Sequence, residues 1–204
     1  MTIAQALASL SIDARTEDLS AFLELFEKWN RSINLSAAST RAELTSHLVD
    51  SLHVIPRLRD HFAADSSWSA SSSNKRVLDV GSGGGFPVVI AAICLPEVGF
   101  TSLEPVHKKH AFIRTAAREL ELANLTALAE RLEDHPVRDY DAAMSRATFD
   151  LREWLEAGRE RVVDGGIVLG FEAVRRDDLP STIERFPYTI DGKPRTIVLL
   201  RRGA

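Results

Sequence analysis

Cysteine is almost absent from this chain of 204 residues: Cys94 stands alone, which excludes an intrachain disulfide. No apolar run approaches the length of a membrane span, so no membrane partner is expected. The start, Met1-Thr2-Ile3-Ala4-Gln5, lacks the basic and apolar stretches of an export signal, and with a single thiol this points to the cytoplasm. Positive charge is not in excess either. The formal net charge of -4 argues against indiscriminate nucleic-acid binding and leaves DNA an unexpected partner, while permitting a local basic face. Neither a Ser-His-Asp constellation nor a pair of catalytic carboxylates is apparent, and no clustered oxygen ligands suggest a metal. What remains is ordinary for a globular protein. Hydrophobic residues make up 45% and charged residues 26%, in a length that suits one full domain with a small extra piece.

The first 64 residues read as helices. Phe22, Leu25, Phe26, Trp29 and Ile33 recur at spacings of three and four, with Glu24, Glu27, Lys28 and Arg31 on the other face. Thr40-Arg41-Ala42-Glu43 fits a capping box, so a second helix starts there, with Leu44, Leu48, Leu52 and Ile55 on its apolar side. Pro56 is expected to bend or end it. Residues 65–75 are a serine-rich linker, which sets the expected division: a helical segment over 1–64, the linker, and a second domain over 76–204. From Arg76 strands and helices alternate. Strands are expected at Val77–Val80, Gly99–Leu103, Leu125–Ala129, Asp141–Met144 and Ile167–Phe171. Helices are expected at Val88–Leu95, at Lys108–Leu122 with Asn124 as C-cap, and at Leu151–Val163, stopped by Asp164-Gly165-Gly166. Tyr188–Ile190 and Thr196–Leu200, around Asp191-Gly192-Lys193-Pro194, read as a closing hairpin. Such alternation implies a mostly parallel sheet with helices on both faces.

The chemistry gathers at Val77-Leu78-Asp79-Val80-Gly81-Ser82-Gly83-Gly84-Gly85-Phe86-Pro87, an apolar run followed by an acid and a glycine loop. Open α/β folds bind nucleotide-like ligands at such loops. The dinucleotide spacing G-x-G-x-x-G fails, because its last position falls on Phe86 or Val88. The pattern D-x-G-x-G-x-G instead resembles the first motif of S-adenosylmethionine (AdoMet) methyltransferases, making Asp79, Gly81, Gly83, Gly85 and Phe86 candidate cofactor residues. Asp79 can order the loop or attract the ligand ammonium. Glu104, at the end of the second strand, can accept from ribose hydroxyls. Leu132 and Glu133, after the third strand, suit main-chain contacts to adenine. Cys94 sits mid-helix among Ile90, Ala91, Ile93 and Leu95 and reads as a buried structural thiol, not the nucleophile of pyrimidine carbon methylation.

Met144-Ser145-Arg146-Ala147 follows the fourth strand, where these folds place the acceptor. With it, the chain resembles the small-subunit rRNA guanine-N7 methyltransferase family (RsmG, also GidB, glucose-inhibited division protein B). The matching pieces are residues 26–35 (W-N-x-x-I-N-L), 47–52 (H-x-x-D-S-L), 79–87, 108–114 and 145–147. The resemblance implies a Rossmann-like AdoMet-dependent methyltransferase fold: a mostly parallel seven-stranded sheet, helices on both faces and an N-terminal helical extension. It implies AdoMet contacts at Gly81, Phe86, Leu132, Glu133 and Arg146, and action on N7 of one guanine in the 530 loop of 16S rRNA or the small ribosomal subunit; Arg146 is also the candidate catalytic residue, and a monomer is expected. Lys193, Arg195, Arg201 and Arg202 are the candidate RNA contacts. One departure stands out. Where the family has Leu-Lys-Gly facing the active site, this chain has Phe171-Glu172-Ala173, a charge reversal expected to weaken the attraction for phosphate or base oxygen. A divergent methyltransferase with another RNA, protein or small-molecule target, or a non-catalytic AdoMet- or RNA-binding module, is the alternative.

Overall fold

The structure, a computed structural model, describes residues 1–38, 40–64 and 75–203. Most of the expected serine-rich linker lies outside the described residues.

Four helices precede the first strand. The first, α1 (Ile3–Ser9), opens on a capping box between Thr2 and Gln5. The second, α2 (Thr16–Ile33), buries Leu19, Phe22, Leu23 and Phe26 along one face. The third, α3 (Arg41–Leu52), starts as its sequence predicts: Thr40 Oγ1 accepts from the Glu43 amide at 3.2 Å, and the Glu43 carboxylate accepts from the Thr40 amide at 3.0 Å. The helix does break near Pro56, as expected, though not at it. The break comes earlier, at His53, and α4 (Val54–Ala63) begins immediately, with Pro56 as its third residue. The missing amide costs nothing there, because first-turn amides have no intrahelical acceptor, while the ring would clash with the Leu52 carbonyl if α3 continued.

The strands follow: β1 (Arg76–Val80), β2 (Gly99–Leu103), β3 (Leu125–Leu128), β4 (Tyr140–Ser145), β5 (Val162–Glu172), β6 (Glu184–Ile190) and β7 (Lys193–Arg201). They form one sheet in the order β3-β2-β1-β4-β5-β7-β6. The first five are parallel, and β7 runs antiparallel to both β5 and β6. Connections run outward from β1 in one direction and then restart at β4, so the switch point falls between β1 and β4. The connecting helices are α5 (Val88–Cys94), α6 (His107–Glu119) and α7 (Leu151–Arg159).

Two expectations about helix ends need correction. Helix α6 is capped at Leu120; Asn124 instead donates its side-chain amide to the carbonyls of Ala92, Leu95 and Val98, closing the end of α5. Helix α7 stops at Arg159, and Asp164-Gly165-Gly166 lies inside β5, where the register against β4 slips between Tyr140 and Ala142. The glycines bulge a strand rather than end a helix.

One face of the sheet is covered by the first six helices. Phe22, Leu48, Val89 and Phe112 belong to the same core as Val77, Ala142 and Leu169. The other face packs Trp154 and Leu155 of α7 against Leu78, Ala143 and Val168. Cys94 is buried, and burial pushes its thiol up to about 12, so no thiolate is available at neutral pH. No described helix is long and apolar enough to cross a membrane.

Candidate active site

Strand β1 delivers the chain into the glycine loop at the switch point. The amide of Gly81 donates to the Leu103 carbonyl at 2.9 Å, bending the loop towards β2. Space then dictates composition. Gly81 has φ +69°, and a Cβ there would fall 2.3 Å from the side chain of Thr148. A Cβ on Gly84 would lie 2.4 Å from the Phe26 ring. Gly83 is different: its open side meets nothing closer than the Gly81 carbonyl at 3.8 Å, so this is where a ligand can approach the main chain. Phe86 turns towards the core and meets Phe22 and Phe26 at ring-centroid distances of 5.2 and 5.3 Å. It therefore walls the crevice without plugging it.

Two acids bracket the loop. Asp79 is fully buried, and neither carboxylate oxygen has a hydrogen-bond partner. Burial raises its pKa to about 7 and the neighbouring Glu104 adds to the rise, while the nearby Ser82 side chain and then Arg146 oppose it. A buried carboxylate with no hydrogen-bond partner is costly. Glu104 is committed: Oε2 accepts from the Gly83 amide at 2.7 Å and Oε1 from the Val106 amide at 2.9 Å. It clamps the glycine loop to the start of α6, and each oxygen keeps a second lone pair for a hydroxyl donor.

Arg146 leaves β4 into a cleft of about 810 Å³ lined by Gly81, Gly83, Phe86, Phe171, Lys193 and Arg195, among others. Its Nη1 donates to Asp50 Oδ2 at 3.0 Å, and its guanidinium lies 5.4 Å from the Phe86 ring centroid and 5.9 Å from that of Phe171. The other oxygen of Asp50 accepts from the Tyr188 hydroxyl at 2.7 Å, and Tyr188 stacks on His53 at 3.8 Å. Burial, first, and then the Asp50 carboxylate raise the pKa of Tyr188, so its hydroxyl stays protonated. His47, one turn before Asp50, lines the same cleft; burial and then the Arg146 charge lower its pKa, which favours the neutral imidazole. Helix α3, the end of β4 and Phe171 of β5 thus meet around one guanidinium, and β6 joins them through Asp50.

The candidate residues do not all gather here. Asp79, Gly85 and Glu104 lie behind the cleft lining, and Leu132 and Glu133, after β3, are absent from it as well. The Leu132 side chain joins the core of the other face, its carbonyl accepts from Arg161 Nη2 at 2.7 Å, and Glu133 points to solvent. Their segment is further braced by His135, whose ring nitrogens meet Glu130 and the Tyr140 hydroxyl, each at 2.8 Å. Lys193 and Arg195 sit at the cleft mouth, but Arg201 and Arg202 do not. Because β7 is antiparallel to β5, its first residues lie at the carboxyl edge of the parallel strands and its last at the opposite edge, about 27 Å away at ~3.4 Å per residue. There Arg201 bonds the Gly165 carbonyl and Arg202 the Val162 carbonyl. Glu172 also departs from expectation. It is buried on the face away from the cleft, where Arg185 and the Arg176 amide hold its carboxylate. The charge reversal therefore does not face Arg146.

Asp50, His47 and Tyr188 were not among the residues assigned to the site from sequence. Their only signal was a polar pair, His47 and Asp50, three residues apart in the H-x-x-D-S-L stretch. Among the described residues no group of three or more His, Cys, Asp or Glu could hold a metal.

Strand order, glycine loop and acidic strand end define a Rossmann-like fold of the methyltransferase class. Solved structures agree on that fold: TrmN from Thermus thermophilus (20% identity, 79% of this chain and 51% of that one, TM-score 0.57) and the N-terminal domain of human METTL16 in complex with SAH (12% identity, 77% and 71%, TM-score 0.59). Residues 15–179 match the family model GidB, rRNA small subunit methyltransferase G, and the chain belongs to that family. Among curated relatives, Ribosomal RNA small subunit methyltransferase G of Acidovorax sp. (strain JS42) is 38% identical over 90% of this chain and 83% of its own length. The protein of the same description from Burkholderia pseudomallei (strain 1106a) is 38% identical over 86% of this chain and 74% of its own.

Proposed function

We propose that this protein transfers the methyl group of AdoMet to N7 of a guanine in small-subunit rRNA, acting as a cytoplasmic monomer. The observation that carries the reading is the juxtaposition, in one cleft, of the open glycine loop and an arginine anchored by a carboxylate, in a chain of the rRNA small subunit methyltransferase G family. The residues fit the cofactor. Asp79 offers an unpartnered carboxylate for its ammonium, Gly83 an unobstructed main chain, and Glu104 free lone pairs for its ribose. When bound, AdoMet supplies an electrophilic methyl on a cationic sulfur.

Guanine N7 carries a lone pair and no proton, so its attack needs no general base. The neutral His47 imidazole lines the cleft, but this step does not call on it. Asp50 is consumed by Arg146 and Tyr188, and the Tyr188 hydroxyl is held protonated. The task left to the protein is alignment. Pairing Arg146 with Asp50 makes the wall nearly neutral, so a cationic donor is not repelled from it, while the remaining guanidinium N–H groups stay available to a base oxygen or a phosphate. Leu132 and Glu133 would flank adenine, and Lys193 and Arg195 would meet the RNA backbone at the mouth.

The test is methyl transfer from labelled AdoMet to small ribosomal subunits and to free 16S rRNA from cells lacking the gene, with methylated guanines mapped by mass spectrometry. Label at guanine N7 is expected; label elsewhere, or none, overturns the reading. Light scattering should give the mass of a single chain.

A further inference from the structure

The loop that leaves Arg146 carries an aromatic ring with no evident structural reason to be in water. Phe149 is 39% exposed. It lies three residues past Arg146, a span of at most ~10 Å of chain. Its ring stacks on Trp154 with centroids 5.9 Å apart and planes 19° apart. Trp154 is itself buried and fixed, its indole N–H donating to the Leu169 carbonyl at 2.8 Å. The loop is pinned on both sides of the ring. Thr148 Oγ1 donates to the Gly81 carbonyl at 3.0 Å, and Asp150 caps α7 by accepting from the Arg152 amide at 3.0 Å. A single exposed apolar side chain is common and means little by itself. This one is planar, stacked on a second aromatic, and two residues past Ala147, which with Arg146, Lys193 and Arg195 lines the cleft.

We propose that Phe149 is a stacking platform for an unpaired nucleobase flanking the methylated guanine. The inference rests on the rRNA methyltransferase reading above and names a contact within it. Proteins that read single-stranded RNA splay bases out and stack them on aromatic rings, and a ring held rigid beforehand loses little entropy in doing so. Stacking on Phe149 would extend a pile already begun by Trp154, and cations at the cleft mouth would hold the adjoining phosphates.

The test compares Phe149→Ala, Phe149→Leu and Phe149→Trp with the parent protein in methyl transfer to small subunits, alongside S-adenosylhomocysteine affinity and thermal stability. Phe149→Ala is expected to lower kcat/KM for the RNA about 5- to 150-fold, the range given by loss of one base–aromatic stack, with cofactor affinity unchanged. Phe149→Trp should retain parent activity, and Phe149→Leu should fall with the alanine variant. If Phe149→Leu transfers as well as the parent, the ring is only an apolar cover and the proposal is overturned. It is equally overturned if RNA kcat/KM falls only in step with cofactor affinity and melting temperature. Should the alanine variant fail to fold, the leucine and tryptophan variants decide. A parent protein that transfers no methyl to RNA would instead defeat the functional reading.

Discussion

Asp79 is the residue whose protonation has the clearest reach. Its carboxyl is raised from 3.8 in the unfolded chain to about 7 in the folded protein, so the folded state holds that proton more tightly. The resulting stabilisation is present in full below 3.8 and is lost as pH rises through about 7. A ligand ammonium wants the opposite state, the carboxylate. Affinity for S-adenosylhomocysteine should therefore be higher at about pH 8 than at about pH 6, and calorimetry on Asp79→Asn should show weak binding without that dependence. Equal affinity of the parent protein at both pH values would remove Asp79 from the ammonium site. The same substitution should raise the melting temperature of the ligand-free protein at about pH 8, because it removes a buried charge with no partner. Arg146 offers a second residue-scale test. Asp50→Asn should weaken a charge-assisted hydrogen bond of about 1.5–3 kcal/mol, giving a loss of roughly 10- to 100-fold in methyl transfer, whereas Tyr188→Phe removes one bond to Asp50 and should cost less. Parent-like transfer by Asp50→Asn would show that Arg146 needs no anchor.

Among the elements, the glycine loop is the tightest. Gly84→Ala drives a methyl into the Phe26 ring, and overpacking of this kind costs about 1–3 kcal/mol, readable as a lower denaturation midpoint. Unchanged stability would mean that α2 yields. The loop, the strands and the Thr40 cap were legible in the sequence because their signals are local: alternation, an acid before glycines, Thr and Glu three apart. A break near Pro56 was legible, but its position was not, since the clash acts one turn upstream of the proline that causes it. Gly165 and Gly166 have the composition of a helix stop, and only pairing with β4 makes them a bulge. Asp50 and Arg146 are 96 positions apart, and no periodicity reports such a meeting. Glu172 was read on the wrong face because only the structure shows Arg185 waiting on the far side of β5.

At the scale of the whole molecule, the cations divide between two edges of one sheet. Lys193 and Arg195 stand with the cleft, and Arg201 and Arg202 hold carbonyls at the opposite edge. Replacing Lys193 and Arg195 together by Ala should reduce the salt dependence of RNA binding by about two counterions. The corresponding double substitution of Arg201 and Arg202 should leave that slope alone. If the second pair changes the slope as much as the first, RNA wraps far beyond the carboxyl edge.

The phenylalanine cluster has a consequence for how this protein can be cut. Phe22 and Phe26 from α2 roof Phe86 of the glycine loop, and Phe26 also meets Phe112 of α6 at 5.5 Å. A fragment starting at Arg76 would keep every strand yet lose that roof, leaving greasy rings beside the ligand crevice open to solvent. Such a fragment should clump on expression, and supplying residues 1–64 as a separate peptide should rescue its solubility.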